Sequence, residues 1–334
     1  MSLLKTSILI LGLLWLVSPK IHAETATNFD AGQLFKFKYK LNAPVVYAVV
    51  NKSRSVNDST SGTRNTLTRS TSEVRYKFRL TAISTNQDGT TRVLYEPFDF
   101  EQDIENVSDS GRSTLSFRGL DIVSKQNDIV VVDTSKGIGV SQAKNMKYSV
   151  YPSLLSGYFD LDSAGNIKKI DGDLPFIDQW QDFLKFNLGI FQIILPTNSI
   201  SVRDSWTNNL TLKSAGGVYF QGDGIVQPHT FIRELDSTAD SATNDSACFR
   251  LYETDDYKDF GGYLEQAGQR TSIAIPEHHE DMNATFHFDQ KLGRLIYMKK
   301  TAKSHDSFNM MVQGNSASGQ FDIDSDNSIN LVSP

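Results

Sequence analysis

From residue 34 the chain places Phe35, Phe37, Tyr39 and Leu41 on alternate positions, with Lys36, Lys38 and Lys40 between them. Successive side chains of an extended backbone point to opposite sides, so this period of two sorts aromatics to one face and ammonium groups to the other. A half-buried antiparallel strand is expected over 34–41. The pattern returns at Val74, Tyr76, Phe78 and Leu80 against Arg75, Lys77 and Arg79, then at 93–100 beyond the turn Asn86-Gln87-Asp88-Gly89, which makes a hairpin. It recurs in the second half at 230–235, 248–252, 263–275 and 284–288, and Asp289 to Gly293 turns the chain into 294–300.

Between these halves stands a different period. Phe176, Ile177, Trp180, Phe183, Leu184, Leu188, Phe191, Ile194 and Leu195 recur at spacings of three and four, while Asp178, Gln181, Asp182, Lys185 and Gln192 fall opposite. The spacing predicts one amphipathic helix over 175–195, with Pro175 in its first turn and Pro196 ending it. The expected architecture is mainly β: a curved antiparallel sheet or half-barrel packed around that central helix. It forms one domain over 24–334, or two lobes, 28–172 and 197–332, flanking the helix. Phe176, Trp180, Phe183, Leu184, Leu188 and Phe191 offer more apolar surface than one sheet edge needs, so this face either packs dry or lines an apolar groove.

The remaining segments are polar. Residues 51–72 are rich in Ser, Thr, Asn and Arg and read as a solvated loop or as two long strand arms. Residues 106–113 read as a loop, and the end of the chain as an acidic tail with a last strand near 323–332. Phe78 to Ser84 with Leu94-Tyr95-Glu96 is echoed faintly by Phe231 to Ser237 with Leu251-Tyr252-Glu253.

Residues 1–23 carry Lys5, an unbroken apolar run from Ile8 to Val17, then Ser18, Pro19 and Ala23, the pattern of a secretory leader. Ten apolar residues are too short for a span, which needs about 20, so no transmembrane segment is expected in the mature chain. Loss of Lys5 and Lys20 with the leader takes the formal charge from −6 to −8, which argues against nucleic acid as a partner. The single cysteine, Cys248, permits no internal disulfide, and an exported chain without disulfides fits a bacterial periplasm or exterior. The Asn-Xaa-Ser/Thr sequences at Asn51, Asn57, Asn106, Asn209, Asn244 and Asn283 would be glycosylation acceptors on a eukaryotic secretory path, and an Asn/Ser/Thr-rich chain also yields them by chance, the preferred reading.

The exported β pattern, the mid-chain helix, the step Val202-Arg203-Asp204-Ser205-Trp206-Thr207 and the late hairpin Phe288-Asp289…Gly293-Arg294-Leu295 resemble an uncharacterised family of exported bacterial envelope proteins. Those proteins carry a Gly-Asp-Ser-Trp step after a helix, where this chain has Arg203. More loosely, the pattern looks like the half-barrels that carry lipoproteins through the periplasm. Neither resemblance implies catalytic residues.

Chemistry-bearing motifs are sparse. Gly-Xaa-Ser-Xaa-Gly and His-Glu-Xaa-Xaa-His are absent. Gly137 and Gly139 begin like a dinucleotide fingerprint, but Gln142 takes the third glycine and no helical period follows. In Glu277-His278-His279-Glu280-Asp281, alternation allows only His278 with Glu280, or His279 with Asp281, to share an ion, and a distant third ligand is then required. Asp160 to Gly165 has carboxylates at the first and third positions of a calcium loop, but Ala164 at the fifth, and reads as a hairpin turn. Asp322, Asp324 and Asp326 repeat with Asn327 where a calcium loop has glycine, and read as tail. Trp206 reads as a core aromatic with Asp204 or Ser205 on local backbone, His287 as facing away from Phe286 and Phe288, and Cys248 as an inert thiol with no His beside it. No catalytic, cofactor or metal site is expected, and no cofactor. The expected function is a non-catalytic binding or carrier module for an apolar ligand or envelope partner. The alternatives are a hydrolase built from scattered Asp and His, and a structural surface or matrix protein.

Overall fold

The computed structural model describes residues 34–61, 63–147, 155–171, 194–212, 214–215, 218–220, 227–238, 246–266, 269–312 and 315–333. Its strands are β1 (Pro44–Ser61), β2 (Arg64–Thr85), β3 (Thr91–Ser108), β4 (Gly111–Arg118), β5 (Asp121–Gln126), β6 (Ile129–Asp133), β7 (Gly157–Leu161), β8 (Ile167–Asp171), β9 (Ser205–Leu212), β10 (Ser214–Ala215), β11 (Val218–Phe220), β12 (Gln227–Thr238), β13 (Ser246–Gln266), β14 (Gln269–Asp289), β15 (Arg294–Val312) and β16 (Asn315–Ser333). All lie in one sixteen-stranded sheet, in the order β10-β11-β13-β14-β15-β16-β1-β2-β3-β4-β5-β6, with β12 and β9 branching from β13, and β7 and β8 from β3. Every strand pairing is antiparallel, and β16 pairs with β1 from Tyr47–Leu331 to Ser61–Ala317, so both halves of the chain share one ladder.

The Ser/Thr/Asn-rich stretch 51–72 is the pair of arms β1 and β2, not a loop. Residues 106–113, expected as a loop, are the end of β3 and the start of β4, with Asn106 opposite Ser113. The expected acidic tail is β16. Polar composition left the first of these open between loop and arms, hid the second and shortened the third, because one face carries hydroxyls and amides instead of apolar side chains. Strand pairing holds the backbone in either case.

Helix among the described residues is confined to one 3-10 turn, Thr134–Lys136, and α1 (Val140–Lys147). The central amphipathic helix is not supported. Residues 176–191, including the apolar set Phe176, Trp180, Phe183, Leu184, Leu188 and Phe191, lie outside the described residues. At the helix's expected end, Ile194 and Leu195 are irregular backbone, and the Leu195 N–H donates to Ala164 O at 2.8 Å. A helix does follow Gly139, which the sequence pattern did not indicate. α1 is only eight residues, too short to display a period, and it is anchored by buried Ala143.

Residues 34–41 also differ from expectation. Burial alternates as the sequence dictates, with Phe35 and Phe37 buried and the lysines exposed, yet the segment is not a sheet strand. It lies against the sheet: the Phe37 N–H donates to Ser163 O and the Lys38 N–H to Gly293 O, both at 2.8 Å. Alternation records which side of an extended backbone is buried and says nothing of whether its amides meet a neighbouring strand. Phe35 packs edge-on against Phe249 (5.0 Å between centroids), and Phe37 against Phe288 (5.2 Å).

These rings begin a continuous core on one face of the sheet, extended by Tyr47 stacked on Phe78 (5.1 Å) and by Tyr95, Phe117 and Phe159. Burial holds the Tyr47, Tyr76 and Tyr95 hydroxyls above their ordinary pKa, so they stay neutral, and Tyr47 donates to Leu295 O at 3.1 Å. The opposite face carries charge. Lys52–Glu73 (3.3 Å), Arg75–Glu73 (2.7 Å), Arg118–Asp103 (3.0 Å) and Arg112–Glu105 (2.7 Å) run along it. Each exposed pair contributes about 0–1 kcal/mol at most, so this face keeps the sheet wetted more than it stabilises it.

Candidate functional site

Because side chains opposite one another across an antiparallel ladder share a face, the register reads as rows. Nearest the aromatic end, Phe286, Met298, Ile329, Val49 and Tyr76 line up across β14, β15, β16, β1 and β2. One step along the strands the row is Ala284, Lys300, Asn327, Asn51 and Val74. Further out come Glu280, Ser304, Ile323, Ser55, Ser70 and Asn106, then His278, Asp306, Phe321, Asn57 and Thr68. The covered face therefore grades from aromatic to polar. Its polar half is enclosed: Lys300 is 4% exposed, Glu280 5%, His278 2% and Asp306 1%.

Buried charge demands partners. His278 Nδ1–H donates to Asp306 Oδ1 across β14 and β15, in a pair whose side chains are both 1% exposed. Ser70 Oγ donates to Asn106 Oδ1 at 2.5 Å, and Asn106 Nδ2 reaches Ser113 Oγ at 3.5 Å, a relay across three strands. Among the described residues of this face, Asp306 Oδ2, Asn57 Oδ1 and Asn327 Oδ1 are buried acceptors that receive no donor. An orphaned buried acceptor is uncommon and marks a place where a ligand can supply the missing donor.

His278 and Glu280 do share one face, and His279 and Asp281 the other, where His279 Nε2 lies 3.3 Å from Asp281 Oδ2. The partner of His278 is Asp306, 28 residues away, which alternation within one strand could not disclose. No group of three or more His, Cys, Asp or Glu side chains placed to hold a metal ion occurs among the described residues. Asp322, Asp324 and Asp326 are not a calcium loop but the exposed face of β16, where they pair with His305 (2.7 Å), Lys303 (3.9 Å) and Lys299 (3.4 Å) of β15. Cys248, expected to have no histidine beside it, is directly opposite His287 in the β13–β14 register, on the exposed face.

The turn between β7 and β8 is a hairpin organised by Asp162. Its Oδ1 accepts the N–H groups of Ala164 and Asn166, both at 2.9 Å, and Oδ2 accepts from Asn166 Nδ2 (2.8 Å) and Lys168 Nζ (3.0 Å). Burial would raise the Asp162 pKa, but the bonds from Asn166 and Lys168 outweigh it and hold the carboxyl below its usual value. Asp162→Ala is expected to cost about 1–3 kcal/mol at neutral pH in a urea melt. A depressed carboxyl stabilises the fold above the unfolded pKa of about 3.9 and loses that stabilisation as pH falls through its folded value. The gap between wild type and Asp162→Ala should therefore close in acid.

At Val202 to Trp206 the chain makes a tight turn in which Asp204 Oδ2 accepts the Ser201 N–H (2.7 Å) and the Asp204 N–H donates to Ser201 O (3.0 Å). Trp206 Nε1–H donates to Ile194 O at 2.8 Å, and its ring meets Phe249 edge-on at 5.8 Å. Arg203 sits at φ 76°. An L-residue pays about 1–2 kcal/mol in this region, which glycine adopts freely. Arg203→Gly is expected to raise stability by about 0.5–1 kcal/mol after the entropy of the unfolded chain is counted, read as a rise in melting temperature.

No family model matches the chain, and no curated protein matches it. Among solved structures it is similar to one described as lipid–protein interactions in lipovitellin, at 10% identity and TM-score 0.43, over 89% of this chain and 26% of that one. It is also similar to Pseudomonas aeruginosa OpdQ (6%, TM-score 0.18, 84% and 98% covered) and OccK7 (6%, TM-score 0.19, 85% and 99%). The chain thus spans about a quarter of the lipovitellin chain. Scores this low establish no shared fold. Among the described residues no helix is long and apolar enough to cross a membrane.

Proposed function

We propose that the protein is an exported, non-catalytic binding or carrier module for an apolar ligand or an envelope partner, with the covered face of a curved, half-barrel-like sheet as its ligand surface. The observation that supports this is the grading of one continuous sheet face from aromatic rows to enclosed polar rows, a lining matched to a molecule with an apolar body and a polar end. Saturable binding of a fluorescent apolar probe by the chain from residue 24 is expected, with displacement by a non-ionic detergent below its micelle concentration. A wild-type protein that binds no such probe overturns the reading.

A hydrolase assembled from scattered Asp and His is the second reading, favoured by the buried His278–Asp306 pair. Ser304 lies diagonally across the ladder from His278, next to Asp306 on the same face of β15, about 7–8 Å between backbones by strand geometry. Turnover of a p-nitrophenyl ester that disappears in Ser304→Ala would support it. Hydrolysis equal in wild type and variant removes Ser304 from any such role.

A further inference from the structure

We propose that the buried row Asp306, Phe321 and Asn57, with His278 behind Asp306, is a binding site for an organic ammonium group. The proposal deepens the binding-module reading and rests on it. Asp306 and Asn57 stand on either side of Phe321 in register, on β15 and β1 with β16 between them. Two strand spacings put their backbones about 10 Å apart, with both side chains on the covered face that carries the Phe321 ring between them. One Asp306 oxygen is taken by His278. The other, and the Asn57 side-chain oxygen, have no donor although both residues are enclosed.

The neighbours on this face are aromatic. Phe308 packs at 5.9 Å and 53° against Phe321, over Gly319, where a Cβ would come within 2.9 Å of the Phe308 ring and 2.5 Å of Asp58 O. Aromatic rings flanked by a carboxylate oxygen on one side and an amide oxygen on the other match the needs of a substituted ammonium, which is held by aromatic rings as well as by charge. A hard metal ion asks instead for six or more oxygens, and this row offers two orphaned ones. A neutral donor would satisfy Asn57 but would give Asp306 Oδ2 no charge-assisted bond. The row is bordered by half-exposed Thr68 beyond Asn57 and half-exposed Ser304 beside Asp306.

Such a group can belong to a free solute or to a lipid head, and titration calorimetry on the chain from residue 24 distinguishes them. The probes are choline, its neutral isostere 3,3-dimethylbutan-1-ol, and dodecylphosphocholine below its micelle concentration. Choline is expected to bind saturably and the neutral isostere at least tenfold more weakly. Dodecylphosphocholine binding at least tenfold more tightly than choline identifies a lipid-type ligand, and equal affinities a free solute; both support the site. Asp306→Asn is expected to weaken choline at least tenfold. Asn57→Asp, which adds a second carboxylate, should tighten it at least threefold, and it carries the test should Asp306→Asn fail to fold. Equal binding of choline and its neutral isostere, no saturable choline binding, or no effect of either substitution overturns the proposal. If the apolar probe still binds in that case, the carrier reading survives without the ammonium site; if neither binds, both fall.

Discussion

Phe288→Ala is expected to lower the free energy of unfolding by about 3–5 kcal/mol, the range for truncating a fully buried aromatic, measured by urea denaturation. Phe288 has no exposed surface and its ring meets three others edge-on: Phe35 at 6.3 Å, Phe37 at 5.2 Å and Phe249 at 6.2 Å. It therefore holds the segment 34–41 onto the sheet. That segment has few alternative attachments, since its amides bond only at isolated points, Phe37 to Ser163 O and Lys38 to Gly293 O. Two effects follow from one cavity: global stability falls, and the Phe37 and Lys38 amides should exchange with solvent faster than those of β1 beside them. Lys36→Ala, on the exposed side of the same segment, should change stability by no more than about 0.5 kcal/mol. Equal losses from both substitutions would show that the segment is not held by its aromatic face.

The alternation of Phe35 and Phe37 with lysines was enough to place those rings in the core, and the runs around Tyr76, Phe78, Phe286 and Phe288 were enough to make the fold mainly β. What could not be read was pairing. Period two reports the two sides of one backbone, whereas the partner strand is chosen by the whole ladder, so 34–41 looked like a sheet strand and only the 323–332 end of Asn315–Ser333 did. The tail was obscured further because its covered face mixes Ile323 and Phe321 with Ser325 and Asn327, while Asp322, Asp324 and Asp326 occupy the other. An acidic repeat every second residue is also what one strand face shows when the neighbouring strand carries Lys299, Lys303 and His305.

The candidate site shows the same boundary between local and non-local information. That His278 and Glu280 share a face followed from spacing alone. That Asp306 and Asn57 join them required the registers of β14 to β15, β15 to β16 and β16 to β1, which span the chain from residue 57 to residue 306. A usable signal was nevertheless present: Asn57 and Asp306 sit in phase with apolar positions of their own strands, Asp306 two residues before Phe308, and Asn57 two residues from Ser55 and eight from Val49. A polar residue in the buried phase of a strand is expensive unless something meets it, so these are the positions to inspect first.

The second large effect tests how that expense is met. Asp306→Leu should destabilise the protein by about 3–5 kcal/mol, because it leaves the enclosed His278 ring N–H without the carboxylate that accepts it. Most of that loss is the cost of an unpaired buried polar group and not the net worth of the pair. His278→Leu should likewise be costly, since it strands the Asp306 carboxylate, whose other oxygen already has no donor. The double substitution removes both polar groups from a position walled by Phe308 and Phe321, and apolar side chains of similar volume can fill it. The double variant is therefore expected to recover at least half of the larger single loss, giving a coupling energy of about 2 kcal/mol or more in a double-mutant cycle by urea melts. If the losses simply add, the two side chains do not depend on each other. If the double variant instead exceeds wild-type stability while no longer binding choline, the pair is kept for the ligand at the expense of the fold, because the desolvation cost of a buried polar pair can exceed the attraction between its members.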